Sequence, residues 1–273
     1  MKRLIVAFLF AMAASNATAL EYTDVYLDVA EPGWGAFLVQ SDTFQFIAFF
    51  IYDKNGNATW YTAQITDNGS GSYTGTLYAI TGTYFANPWQ GYGINPAGTA
   101  TFTPTDIYHA TLTYTVNGVG TITKTIQRQT LTPYLLAGDY SGSMAGSISG
   151  CTNNPASNDP AFRATYGLTV TTGGDATEAT TRTATLVFTF VDTTHSGIVC
   201  TVTGPLTHFG RIYQMAGATT IACTGPGLNP NPRTATIDSL HPTGQGIEGK
   251  ITGNVGGGCT ASWHFAAVLN VNN

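Results

Sequence analysis

The stretch Ala110-Thr111-Leu112-Thr113-Tyr114-Thr115-Val116 alternates an apolar residue with threonine throughout. Because successive side chains of a β-strand point to opposite faces, this alternation predicts a strand with one apolar face and one threonine face. The same period of two returns at positions 166–170, 184–190 and 198–202. Beyond the first 19 residues, no segment has the spacing of an amphipathic helix. The sequence therefore predicts an all-β protein.

A second strand signal, Phe44–Tyr52, reads FQFIAFFIY and is apolar on both faces. A short apolar run of this kind predicts a central strand that is buried on both sides. It ends at the turn residues Lys54-Asn55-Gly56-Asn57, and strands and turns then recur about every 8–12 residues. Such spacing is typical of sandwiches and barrels, and the short connections favour meanders. We expect two tandem antiparallel meander units, each barrel- or sandwich-like.

The amino-acid composition excludes several classes of protein. Only 9% of the 273 residues are charged, whereas 43% are hydrophobic, 46 are threonine, and the formal net charge is −5. Intrinsic disorder usually requires more charge and fewer aromatic residues, and a coiled coil requires Glu, Lys and Leu. A nucleic-acid-binding domain is usually basic. We therefore expect a folded protein that does not bind nucleic acid.

The first 19 residues have the three parts of a secretory signal peptide. Met1-Lys2-Arg3 is basic, positions 4–14 are apolar, and Ala17-Thr18-Ala19 supplies the small residues of a cleavage site. A membrane anchor is the alternative, but the apolar run is shorter than the ~20 residues that span a bilayer. We predict cleavage after Ala19, no transmembrane helix in the mature chain, and a secreted, periplasmic or cell-surface location.

The four cysteines, Cys151, Cys200, Cys223 and Cys259, all lie in the second half of the chain. This distribution, with the break in the strand pattern at positions 132–138, predicts a Trp/Tyr-rich domain at 20–135 and a disulfide-bearing domain at 136–273. A zinc site would usually place two cysteines two to four residues apart, and these lie at least 23 positions apart. An even number of cysteines in an exported chain instead predicts two disulfides and no metal.

The predicted disulfides are Cys200–Cys223 and Cys151–Cys259. Gly210-Arg211 lies near the midpoint between Cys200 and Cys223, so these two cysteines can face each other across one hairpin. Cys151 ends the first predicted strand of its unit, and Cys259 begins the last. Because these positions are adjacent when an antiparallel barrel closes, the second disulfide is expected to lock the seam.

The turn Val116-Asn117-Gly118-Val119 sets the register of one hairpin. A two-residue loop would pair Val116 with Val119 and would turn nearby isoleucines onto the threonine face. A three-residue loop at 116–118 instead pairs Leu112 with Ile122 and keeps the apolar residues together. We predict the three-residue loop, in which Gly118 takes the left-handed conformation of a bulge.

Glycine, tryptophan and cysteine motifs occur in both units. In the first unit they are Gly33-Trp34-Gly35, Phe50-Ile51-Tyr52-Asp53 with Gly56, Trp60-Tyr61, Tyr73-x-Gly75-x-Leu77-Tyr78 and Tyr114-Thr115-Val116-Asn117-Gly118. In the second they are Cys200-x-Val202-x-Gly204, Gly210-Arg211, Cys223, Gly246-Ile247-x-Gly249 and Gly258-Cys259. Over residues 33–131 the chain resembles a repeat-type domain of many uncharacterised exported bacterial proteins, and over 138–268 it resembles the disulfide-bearing β domain often found in them. The resemblance implies an exported all-β protein and carries over no functional residue.

The sequence offers little support for catalysis or metal binding. It has no P-loop, no H-E-x-x-H and no nucleophile elbow, and the five histidines are not spaced as metal ligands. Positions 53–57 (DKNGN) have the oxygen-bearing residues of a calcium loop, but glycine is fourth instead of sixth, so a hairpin turn is the preferred interpretation. Paired carboxylates for glycoside hydrolysis, which meet only in the folded protein, stay open. We expect no cofactor and no enzymatic activity, with a secreted hydrolase as an alternative.

One segment between two predicted strands is rich in aromatic residues. Tyr84, Phe85, Trp89 and Tyr92 fall within nine positions that contain Gly and Pro and do not alternate. Loops often carry function, and aromatic rings suit both sugars and protein interfaces. These four residues are the predicted ligand-binding site, for a glycan or a surface protein. In the alternative, the loop folds over one end of the barrel and fills its core.

These patterns together favour an exported binding or interaction module. A structural subunit of a surface layer or filament is the principal alternative, and such a subunit would self-associate. An outer-membrane barrel is less favoured, because two disulfides are foreign to that class.

Overall fold

The computed structural model describes residues 20–130, 136–173 and 182–270. Within these ranges the chain forms β-strands joined by turns and loops, with a single 3-10 turn at Pro155–Ser157, so the predicted all-β class is confirmed. No helix in the same ranges is long and apolar enough to cross a bilayer. The predicted signal peptide at 1–19 lies outside the described residues, and so do residues 131–135, where the domain boundary is predicted.

The first eight strands form a closed antiparallel barrel. They are β1 Asp24–Leu27, β2 Gly35–Ser41, β3 Phe44–Tyr52, β4 Ala58–Asp67, β5 Tyr73–Gly82, β6 Tyr92–Pro104, β7 His109–Val116 and β8 Gly120–Arg128. Each strand pairs with the next along the chain, and β1 pairs with β8 to close the ring. Closure removes the free strand edges to which another chain could add.

Inward-facing side chains fill this barrel, as expected when only eight strands enclose the interior. β7 has the predicted alternation: its apolar residues from Ala110 to Val116 are buried, and the threonines between them face outward. On the outer face, the hydroxyl oxygens of Thr113 and Thr123 lie 3.2 Å apart across the β7–β8 ladder. Such cross-strand pairs add to the stability of the sheet. The threonine face is therefore the outer wall of the barrel.

The second unit is also a closed antiparallel barrel. Its strands are β9 Gly138–Ser149, β10 Asp159–Gly173, β11 Arg182–Phe190, β12 Val199–Phe209, β13 Ile212–Met215, β14 Thr220–Thr224, β15 Arg233–Thr243, β16 Gly246–Gly256 and β17 Cys259–Leu269. β9 pairs with both β10 and β17, and β11 pairs with β12, so the sheet closes on itself. β13 and β14 together occupy one position between β12 and β15.

Both predicted disulfides are present, and both lie in the second barrel. Cys200 and Cys223 are directly opposite each other in the β12–β14 ladder. Cys151 follows β9 and Cys259 begins β17, and these two strands form the seam of the barrel. Because structural disulfides persist in oxidising compartments, the folded chain belongs outside the cytoplasm.

The predicted burial of β3 on both faces is wrong. Gln45, Ile47 and Phe49 point inward and are at most 1% exposed, whereas Phe50 and Tyr52 on the outer face are 42% and 60% exposed. A barrel strand has one face inside and one outside, and no second layer of the described structure covers this outer face. The apolar side chains on the outer side of this strand are therefore part of the surface of the barrel and not of its core.

The β7–β8 hairpin has a three-residue loop, but the predicted register is wrong by two residues. The loop is 117–119, Val116 pairs with Gly120, and Leu112 pairs with Lys124 rather than Ile122. A shift of two keeps every side chain on its predicted face. It also moves Lys124 nearer the open end of the barrel, where its ammonium group forms an ion pair with Glu31. That ion pair accounts for a lysine on the inward face.

The seam of the first barrel is short and depends on Arg128. In the described ladder β1 and β8 share two residue pairs, Tyr26 with Arg128 and Leu27 with Gln127. The Arg128 side chain is 1% exposed, and its Nη1 donates a hydrogen bond to Asp24 Oδ2 at 2.9 Å. The same guanidinium also donates to the backbone carbonyls of Thr23, Ile107 and Glu21. One buried side chain thus ties the first strand of the barrel to the last.

Asp24 also joins the two barrels. Its Oδ2 accepts a hydrogen bond from the Arg211 backbone N–H at 3.1 Å, and the Arg211 guanidinium donates to the Thr23 carbonyl at 2.6 Å. Gly210 has φ +59°, and a Cβ at this position would lie 2.3 Å from Asp24 Oδ2. The turn between β12 and β13 can therefore approach the aspartate only because residue 210 is glycine.

Aromatic residues add further contacts between the two barrels. The rings of Tyr108 and Phe209 lie 4.7 Å apart, and the Tyr108 hydroxyl accepts a hydrogen bond from the Ser239 backbone N–H at 2.9 Å. Burial raises the pKa of Tyr108 far above its ordinary value, so the hydroxyl stays neutral. These contacts and those of Asp24 lie at the end of the first barrel where β1 begins and β8 ends, so the barrels meet through that end.

We predict that Asp24→Asn lowers the free energy of unfolding by about 3–5 kcal/mol, because it leaves the buried charge of Arg128 without its carboxylate. Equilibrium denaturation in guanidinium chloride measures this loss. Asp42→Asn, in an exposed turn, is the matched control and should change the free energy by less than about 0.5 kcal/mol. A loss below about 1 kcal/mol for Asp24→Asn would mean that the carbonyl acceptors alone hold Arg128.

Candidate functional site

The predicted binding residues lie on the loop between β5 and β6 and on the first residue of β6. Hydrogen bonds hold the two ends of this loop together. Thr83 Oγ1 donates to the Gly91 carbonyl at 3.0 Å and accepts from the Gln90 N–H at 2.9 Å. Within the loop, the Asn87 N–H donates to the Tyr84 carbonyl at 2.9 Å. The loop therefore has a defined backbone that presents its side chains outward.

All four predicted side chains are exposed. Tyr84, Phe85, Trp89 and Tyr92 are 62%, 91%, 70% and 67% accessible to solvent. They form two pairs: the rings of Tyr84 and Phe85 lie 4.7 Å apart, and those of Trp89 and Tyr92 lie 6.2 Å apart with an angle of 30° between their planes. The four rings are thus exposed as two pairs, on the β5–β6 loop and at the start of β6.

Other residues close this end of the first barrel, so the alternative in which the loop fills the core is wrong. Trp34, Tyr61 and Ile122 are partly buried and pack on the core at this end. The Trp34 Nε1–H donates to the Tyr114 hydroxyl at 3.3 Å. Above them lies an open cavity of about 650 Å³, whose lining includes the Glu31–Lys124 ion pair.

The outer wall of the barrel continues the exposed apolar surface. Phe50 pairs with Trp60 across β3 and β4, with ring centroids 5.3 Å apart and side chains 42% and 55% exposed. Tyr61 pairs with Ala79 in the β4–β5 ladder, so their neighbours Trp60 and Ile80 follow at its end, and Ile80 pairs with Ile94 on β6. We name this surface the aromatic face: Phe50, Trp60, Ile94, Tyr84, Phe85, Trp89 and Tyr92. Sequence reasoning missed Phe50 because it assigned β3 to the core, and it did not consider Trp60 on β4 or Ile94 on β6 as surface residues.

Five of the seven residues of the aromatic face, all but Phe50 and Trp60, lie on a long segment without charge. Between Asp67 and Asp106 the sequence has no Asp, Glu, Lys or Arg, and this span contains β5, the loop and β6. Its polar groups are hydroxyls and amides, such as those of Thr81 and Asn95. In a chain of net charge −5, a neutral surface of this size is a feature that the sequence pattern alone could have revealed.

The mouth of the second barrel is a second candidate site that the sequence did not predict. It is a cavity of about 470 Å³ at the end where β12, β15 and β17 begin, and both disulfides border it. Trp263 forms part of its floor and is 4% exposed, and its Nε1–H has no acceptor among the described residues. An unpaired buried donor costs about 1–3 kcal/mol.

His195 projects into this mouth and is held by Asp192. The Asp192 carboxylate contacts His195 Nδ1 at 2.7 Å and accepts the His195 backbone N–H at 2.9 Å. Burial opposes ionisation of Asp192, but the hydrogen bonds from His195 and Thr165 outweigh it and lower the pKa of that carboxyl. No hydroxyl of the described residues bonds the ring of His195, so the geometry provides an oriented histidine without an adjacent nucleophile.

A glycine motif at 244–249 lies in the turn between two strands. Gly244-Gln245-Gly246-Ile247-Glu248-Gly249 has the spacing of a dinucleotide-binding fingerprint. In the structure this segment turns from β15 into β16, with Thr243 paired to Gly246. The fingerprint binds phosphate through the start of a helix, and here a strand follows. The motif is therefore a hairpin turn.

Comparisons with protein-family models, with curated proteins and with solved structures find no match to this chain. The resemblance to exported bacterial β domains therefore stays a prediction. Function has to be argued from the chemistry of the two surfaces described above.

We predict that Trp89→Ala changes the melting temperature by no more than about 1–2 °C, because the ring is 70% exposed and leaves no cavity. Phe49→Ala is the contrasting variant: Phe49 is fully buried in the first barrel, and its truncation should cost about 3–5 kcal/mol. Thermal unfolding followed by circular dichroism measures both. A large loss of thermal stability in Trp89→Ala would mean that the loop has a structural role.

Proposed function

We propose that the protein is an exported binding module that docks a partner protein on the aromatic face of its first barrel. The observation that carries the proposal is the exposure of the four rings, 62–91%, on a segment of the chain that has no charged residue. Large contiguous exposed apolar patches on folded proteins mark interaction sites. Burial of these rings against a partner would remove apolar surface from water, which is the main favourable term in protein association.

The composition of the aromatic face favours a protein over a glycan. Phe50, Phe85 and Ile94 have no hydrogen-bonding group, whereas a sugar presents hydroxyls that need donors and acceptors at close spacing. The centres of protein interfaces are enriched in Tyr, Trp and Phe and depleted in charge, which matches this surface. The partner is therefore expected to present an apolar, weakly charged patch of its own.

Two further features support a role outside the cytoplasm. The disulfides Cys151–Cys259 and Cys200–Cys223 require an oxidising compartment. The segment 1–19 has the pattern of a signal peptide. We propose that the chain acts in the periplasm, on the cell surface or in the medium, and that its partner is found there.

Photocrosslinking in exporting cells tests the proposal. A benzophenone amino acid placed at position 85 should give one discrete protein adduct, and the same probe at Val119, a 74% exposed turn residue of the same barrel, should not. The captured protein, once purified, should bind the wild-type chain, and Trp89→Ala should weaken that binding about thirtyfold, the loss typical of a central tryptophan.

Three results would contradict the proposal. Equal adducts at positions 85 and 119 would mean that the aromatic face has no preferred partner. An adduct between two copies of this chain, together with mass that rises with concentration, would identify a structural subunit instead. Binding to a glycan array that Trp89→Ala abolishes, without a protein adduct, would assign the face to carbohydrate.

A further inference from the structure

We propose that the mouth of the second barrel binds a small aromatic carboxylate. This site lies on the other barrel from the aromatic face, so the inference is independent of the proposed function. The cavity of about 470 Å³ falls within the size range of small-molecule sites, which are usually apolar with a few convergent polar groups. It opens at the end of the barrel away from the β12–β13 turn that contacts the first barrel.

The floor of the cavity is aromatic and suits a flat ring. Phe162 stacks on Trp263 with centroids 5.1 Å apart and an angle of 27°, and Phe190 packs edge-on against Phe162 at 6.5 Å. Aromatic rings prefer offset stacking or edge contacts of this kind. A ligand ring that enters the mouth would extend the same arrangement by one layer.

Arg233 places a cation at the rim of the cavity. Its Nη1 donates to the carbonyls of Asn229 and Asn231 at 3.3 and 3.1 Å, and no carboxylate of the described residues lies within 4 Å of it. Gly256 makes room for it: this residue has φ +100°, and a Cβ there would lie 3.1 Å from the guanidinium carbon. An arginine held this way, with hydrogen-bonding capacity to spare, can bind a carboxylate through two parallel hydrogen bonds.

His195 supplies a second polar contact. With Nδ1 engaged by Asp192, Nε2 is the ring nitrogen available to a ligand, and the ring itself lies 5.0 Å from Phe162. The carboxylate of Asp159 also lines the cavity, and its Oδ1 accepts the Ala161 N–H. A ligand anion is therefore expected at Arg233 and not beside Asp159.

The disulfides fix the shape of this mouth. Cys200–Cys223 joins the start of β12 to β14, and Cys151–Cys259 joins the end of β9 to the start of β17. Both cross-links border the cavity rather than the packed middle of the barrel. A rim held in place before the ligand arrives loses less conformational freedom on binding.

Titration calorimetry with indole-3-acetate tests the inference. We expect the wild-type chain to bind this probe with a dissociation constant below about 1 mM and to bind indole-3-acetamide, which has the same ring and no charge, at least tenfold more weakly. Arg233→Met should remove the preference for the acid. Arg233→Lys should restore part of it, because lysine keeps the charge and loses the planar fork.

Arg163→Met is the control, since Arg163 is an exposed arginine on the outer face of β10. It removes the same charge from the chain and should leave both dissociation constants unchanged. Equal binding of acid and amide by the wild type, no binding of the acid at 10 mM, or equal losses for Arg163→Met and Arg233→Met would each overturn the inference.

Discussion

The buried ion pair between Asp24 and Arg128 is the interaction on which the rest of this structure depends. It completes a short seam in the first barrel, and the same carboxylate accepts the backbone N–H of Arg211 from the second barrel. Removing two charges from water costs free energy, so each buried charge needs an oppositely charged partner and hydrogen bonds of good geometry. Here a single aspartate meets that demand for the closure of one barrel and for its attachment to the other.

The position of this junction leaves one end of each barrel free, and both candidate sites lie at those free ends. The β5–β6 loop is at the far end of the first barrel, and the cavity with Arg233 is at the far end of the second. The two surfaces differ in chemistry: one is formed by exposed apolar side chains, and the other is a cavity with a cation at its rim. They suit different ligands, a protein surface and a small anion.

Much of the fold could be predicted from the sequence, because alternation along a strand and pairing of cysteines depend on local pattern. The threonine face of β7 and the Cys200–Cys223 and Cys151–Cys259 pairings are correct for that reason. The exposure of the outer face of β3 was not predictable, since the sequence of an apolar strand does not show whether a second layer covers it. The cavity was not predictable either, because Phe162 and Trp263 are 101 positions apart and meet only when the barrel closes.

Differential scanning calorimetry of the wild type and of Gly210→Ala tests the central claim most directly. A methyl group at residue 210 would meet Asp24 Oδ2 at 2.3 Å, so it should loosen the junction without changing any charge. If the junction unites the barrels, the wild type unfolds in one cooperative transition and the variant in two, one for each barrel. Two transitions in the wild type, or an unchanged single transition in Gly210→Ala, would contradict the account.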